Sequence, residues 1–111
     1  MPNTLTPAQQ CHDMAAIRAA IDHIDRQVIA LLGQRYQYVL AAAPFKQSAQ
    51  AVRAEERLRA MLKQRRAWAE EERLSPDAIE QMYRQLVEHF IAEELKHWQA
   101  QATLADHSSS H

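Results

Sequence analysis

From Ile17 onward the chain repeats apolar residues at a strict 4-3-4-3 spacing. Ile17, Ile21, Ile24, Val28 and Leu31 lead to Arg35, Tyr38 and Ala42. That spacing marks a helix packed along one seam. Asp13 is placed to cap its start, and Pro44 ends it near Ala43, because the pyrrolidine ring blocks the next helical turn. The following stretch, PFKQSAQAV, has no apolar period and reads as a short loop. A second helix is predicted from about Arg53 to Leu74, with Leu58, Met61, Leu62, Trp68 and Ala69 on its inner face. Ser75-Pro76-Asp77 then restarts the helical pattern, with a capping hydroxyl, a proline suited to the first helical position and an acid in the first turn. The third helix carries Ile79, Met82, Tyr83, Leu86, Val87, Phe90, Ile91, Leu95 and Trp98.

Composition agrees with this reading. Gly33 is the only glycine in 111 residues, which leaves little for hairpins or phosphate-binding loops. The expected fold is all-α, a three-helix chain with one long N-terminal helix. Residues 1–12 are expected to form a flexible arm, 13–102 one helical domain and 103–111 a disordered tail. A first helix of about 30 residues would be about 45 Å long. Two shorter partners from one small chain do not cover such a stripe, so an intertwined homodimer bundle is expected.

Charge and cysteine content narrow the function classes. A formal net charge of -1 is a poor match for a nucleic-acid surface. No apolar run reaches membrane-spanning length, and MPNTLTPAQQ lacks the apolar core of a secretion signal. A single cysteine, Cys11, makes no internal disulfide. The expectation is a cytoplasmic protein with neither membrane nor nucleic-acid partner.

The informative residues are polar ones at core positions. Arg35 takes a seam position between Leu31 and Tyr38, and a guanidinium does not give up its charge. Buried without a partner it would cost about 3–5 kcal/mol. It must therefore pair with an internal acid or meet an anionic ligand. Glu94 repeats the anomaly in the row Leu86, Phe90, Glu94, Trp98, where each residue stands one turn from the next. Desolvation between two aromatics would raise its pKa and leave a neutral acid able to donate a hydrogen bond. Arg18 flanks the first seam, Arg57 lies early in the second helix, and Lys46 follows Phe45, whose ring could pin the loop and aim the lysine inward. Together Arg18, Arg35, Lys46 and Arg57, with Glu94 opposite, suit a small ligand with more than one carboxylate, since arginine grips carboxylates in bidentate pairs. Internal pairing to acids such as Asp25 or Glu56 is the non-catalytic alternative, a helical dimerisation module. His89, Glu93 and His97 recur at fours, but without an HExxH motif they read as a solvated face and no metal is expected.

The stretches IRAAIDHIDRQVIALLGQR, Phe45-Lys46, ERLRAML, RAWAEE and FIAEELKHW, taken in order, resemble the all-helical chorismate mutases. RAWAEE and the IAE..K.W pattern point to the isochorismate-pyruvate lyase branch of that family, which makes salicylate. The resemblance covers about Cys11 to Trp98. It implies an intertwined dimer with two sites, with Arg18 reaching into the site of the other chain. Arg35 and Arg57 would hold the substrate carboxylates, Lys46 would contact the bridging ether oxygen, and Val39 and Ile91 would shape the apolar wall. It further implies pericyclic chemistry on isochorismate or chorismate, with no cofactor and no metal, in salicylate or siderophore biosynthesis. One position departs from the lyase pattern, for those enzymes carry glutamine where this chain has Glu94. Fungal mutases of the family carry a glutamate there. A mutase activity, chorismate to prephenate, is therefore the alternative within enzymes.

Overall fold

The computed structural model describes residues 7–46, 48–49 and 54–109. Among them there are three α-helices and no strand: α1 is Met14–Ala42, α2 is Glu55–Glu71 and α3 is Pro76–Ser109. The chain divides into two compact units, Met1–Gln37 and Tyr38–His111. No helix among the described residues is long and apolar enough to cross a membrane.

The first unit consists of a 3-10 turn, Ala8–Gln10, and most of α1. The turn lies in the segment expected to be a loose arm, whose residues 1–6 fall outside the described ones. Asp13 caps α1 as its side chain predicts, with Oδ1 accepting the Ala16 N–H at 2.7 Å. No residue of α1 is buried, and Ile21, Ile24, Val28 and Leu31 are all exposed, Leu31 to 61%. Gly33, the one glycine of the chain, lies within α1, where an added Cβ would meet open space, so no close packing among the described residues requires a glycine there.

The second unit holds the core. Pro44 ends α1 as expected, and the chain passes through a 3-10 turn, Ala43–Phe45. Met61 and Leu62 on α2 pack with Val87 on α3, and Leu58, Tyr83 and Ile91 close around them. Burying side chains of this size contributes about 1.5–3 kcal/mol each. Two residues expected on inner faces lie outside instead. Trp68 is exposed, with the Arg65 guanidinium 4.8 Å above its ring, and Met82 is exposed. A 3.6-residue period fixes the direction of a stripe, but its edges are decided by the neighbouring helix.

The connection between α2 and α3 is built from local signals. α2 stops at Glu71 rather than Leu74. Arg73 adopts φ 61°, the Leu74 N–H reaches the Ala69 carbonyl at 2.8 Å, and the Arg73 N–H reaches that of Glu70 at 3.1 Å. This is the helix-ending pair of bonds that glycine normally serves. The other end of α2 also meets a left-handed non-glycine residue, Ala54, at φ 43°. The helix starts at Glu55; Arg53, the expected start, lies outside the described residues. Ser75 caps α3, accepting the Ala78 N–H at 3.2 Å, with Pro76 at its first position. Arg66 on α2 bonds Asp77 at 2.8 Å and Glu80 at 3.1 Å, while Arg84 bonds Glu80 at 2.9 Å. Helix α3 then continues to Ser109, through most of the segment expected to be a tail, since each added residue gains a bond once a helix is nucleated.

Candidate active site

Two of the polar residues singled out by the sequence meet in the second unit. Lys46 is the residue that closes the 3-10 turn after α1, and Glu94 lies midway along α3. The Lys46 ammonium stands 3.9 Å from Glu94 Oε2. That is too long for a hydrogen bond, so attraction acts without a shared proton. Glu94 is the one buried charged residue among those described, only 5% exposed. Its Oε2 has no hydrogen-bond partner among the described residues.

The electrostatics follow from this geometry. Burial raises the pKa of the Glu94 carboxyl above the usual carboxylate range, and the nearby Lys46 charge offsets part of that rise. A neutral Glu94 carries an O–H, and its Oε2 has no hydrogen-bond acceptor or donor opposite it among the described residues. An ammonium and a carboxylic acid side by side can both donate to one acceptor oxygen. That pairing favours a group that gains negative charge during a reaction.

The remaining predicted residues stand as follows. Ile91, one turn before Leu95 on the same helix as Glu94, is half-buried and packs on the Met61–Leu62–Val87 cluster. Val39 is half-buried near the end of α1. Arg57 is exposed in the first turn of α2, where its charge adds to the positive end of the helix and Glu55 and Glu56 offset it. Arg18 and Arg35 belong to the first unit, Arg18 exposed and Arg35 half-buried. Among the described residues neither Arg18 nor Arg57 is paired with an acid. The aromatic anchor expected beside Lys46 is a correction. Phe45 is 85% exposed, which argues against a role as a buried anchor. The residue that does hold Lys46 is Trp98, whose indole Nε1–H donates to the Lys46 carbonyl at 3.0 Å. The sequence placed Trp98 one turn after Glu94 but gave no sign of a partner 52 residues earlier.

The histidine-bearing face of α3 has other contacts. Glu93 bonds Lys96 at 3.3 Å, and the His89 ring lies 5.4 Å from that of Phe90. Among the described residues no three histidine, cysteine, aspartate or glutamate side chains are grouped to hold a metal ion.

Comparison with known proteins places this arrangement in context. Residues 17–95 match the family described as chorismate mutase type II. The chain is also 43% identical over 90 residues to an isochorismate pyruvate lyase of Pseudomonas aeruginosa. That alignment covers 81% of this chain and 89% of the relative.

Proposed function

We propose that this chain, which belongs to the chorismate mutase type II family, cleaves isochorismate to salicylate and pyruvate. The observation that carries the reading is the Lys46–Glu94 pair: a cation and a buried acid, 3.9 Å apart, with an unsatisfied carboxyl oxygen. The named activity of the Pseudomonas relative, which aligns along 81% of this chain, supports the same substrate.

In this reading the ether bond between the ring and the enolpyruvyl group breaks while a ring hydrogen passes to the enolpyruvyl methylene. The ring becomes aromatic and the side chain leaves as pyruvate. No covalent bond to the protein is needed. The protein folds the side chain over the ring, which removes conformers that do not react. Lys46, assisted by the protonated form of Glu94, donates to the ether oxygen as negative charge builds there. Arg35 and Arg57 hold the two carboxylates, and Val39 and Ile91 form the apolar wall.

The site is proposed to be completed by a second copy of the chain, with Arg18 contributed across the interface. The exposed stripe Ile21, Ile24, Val28 and Leu31 supports this, because it has the spacing of a packed seam and no cover of its own. Residues 13–102 are read as one domain, and the family match runs unbroken across Gln37.

Glu94 itself favours a second activity, rearrangement of chorismate to prephenate. A protonated carboxyl serves either ether oxygen. The test is product analysis: salicylate fluorescence from isochorismate against prephenate formed from chorismate. Salicylate is the expected main product. Prephenate alone would make the protein a mutase. Neither product, with no heat of binding for a dicarboxylate analogue, would leave a non-catalytic helical module.

A further inference from the structure

Lys46 is held by its backbone at both polar groups. Its N–H donates to the Ala43 carbonyl at 3.1 Å, and its carbonyl accepts the Trp98 indole N–H at 3.0 Å. Between these two bonds the residue is extended, at φ -87° and ψ 136°. Trp98 and Glu94 are four residues apart on α3, so they stand on the same side of the helix. One helical turn therefore carries both the group that fixes the Lys46 backbone and the group that faces its ammonium. A lysine side chain has four rotatable carbons and would otherwise sample many positions.

We propose that Trp98 is a positioning residue, whose indole N–H fixes the main chain at Lys46 and thereby sets the ammonium against the Glu94 carboxyl. For catalysis the inference rests on the proposed function; for geometry it stands on the hydrogen bond alone. Trp98 touches no reacting atom in this scheme. It makes α3 the common frame for a lysine that belongs to a different part of the chain. Small displacements of a catalytic group are costly, about 100-fold in rate for about 1 Å. Loss of this one bond should therefore reach kcat before it reaches substrate binding.

The test compares the unmodified protein with Trp98→Phe, which keeps an aromatic ring and removes the donor. A fall of about 10- to 100-fold in kcat for salicylate formation is expected, with KM within a few-fold. The Glu94 carboxyl, followed by carbon NMR without substrate, should titrate at higher pH in the variant. The reason is that Lys46 is the charged group facing it among the described residues, and its attraction would weaken. A folded variant with unchanged kcat and an unmoved Glu94 titration overturns the proposal. Absence of salicylate from the unmodified protein overturns the assigned function instead, and the titration still decides the positioning role. Should Trp98→Phe not fold, the unmodified protein supplies the answer through its two indole N–H signals, assigned with Trp68→Phe. The Trp98 proton should exchange with solvent at least about 10-fold more slowly than that of exposed Trp68, and equal fast exchange of both overturns the proposal.

Discussion

Helix α3 carries two glutamates in opposite circumstances. Glu80, in its second turn, is gripped by Arg66 at 3.1 Å and Arg84 at 2.9 Å. Those bonds, from Arg84 above all, hold its pKa below the usual carboxylate range. Glu94, about four turns on, is buried beside one ammonium that stops short at 3.9 Å, and its pKa is raised. The first glutamate is saturated by the protein and fixes a corner between two helices. The second is buried with an Oε2 that has no hydrogen-bond partner among the described residues. Residues kept charged and paired build structure; a residue kept buried and short of a partner is a candidate for binding or chemistry.

The largest expected effect is on Lys46. Lys46→Ala should lower kcat/KM for salicylate formation by about 100- to 1,000-fold, the usual cost of losing one donor to a developing oxyanion. The far-ultraviolet circular dichroism should be unchanged. Activity within a few-fold of the original would remove Lys46 from the mechanism.

The next concerns Glu94 and the sign of its pH response. A raised folded pKa means that the folded state holds the proton more tightly than the unfolded one. The associated stability is complete below the ordinary glutamate range and is lost as pH rises through the raised folded value. Glu94→Gln should therefore increase Tm at neutral pH and flatten any fall in activity toward alkaline pH, while the two proteins converge in acid. A pH–rate profile unaltered by the substitution would show that another group titrates.

Glu80 has the opposite sign. Its depressed pKa contributes stability above the ordinary glutamate range that is lost as pH falls through the folded value. Glu80→Gln should lower Tm at neutral pH and have little effect in strong acid. Because the network is exposed, the change should be small and should shrink further in 0.5–1 M salt, where the screening length is only a few ångströms. Equal pH slopes for the Glu80 and Glu94 variants would dissolve the contrast between the two sites.

The smallest expected effect lies at the end of α2. Arg73 occupies a left-handed conformation that costs a non-glycine residue about 1–2 kcal/mol. Arg73→Gly should stabilise the protein by up to about 1 kcal/mol in thermal melts, net of the extra freedom glycine gains when unfolded. Destabilisation would mean that the arginine side chain holds more than its backbone costs.

Local signals were the legible ones. Asp13, Pro44 and the Ser75-Pro76-Asp77 restart all act within four residues of themselves, and each stands where the sequence put it. The end of α2 was missed because Arg73 does the work of a glycine and leaves no compositional trace. The long seam on α1 was legible as a period, but a period gives no information on what covers it. At the candidate site Glu94 was readable as an acid among aromatics on a four-residue row. Lys46 was readable as one of the cations opposite it, but what holds Lys46 in place was not, because that depends on how a turn and a helix meet. Phe45 was chosen as the anchor for being adjacent, whereas the bond that exists joins residues 46 and 98.

The uncovered isoleucines, valine and leucine of α1 have a thermodynamic consequence. A folded molecule that still presents such a ridge to water has not finished gaining from burial when its own chain is in place. If another molecule supplies the rest, resistance to heat becomes a function of how much protein is in the tube, and each tenfold dilution should shift the melting curve downward.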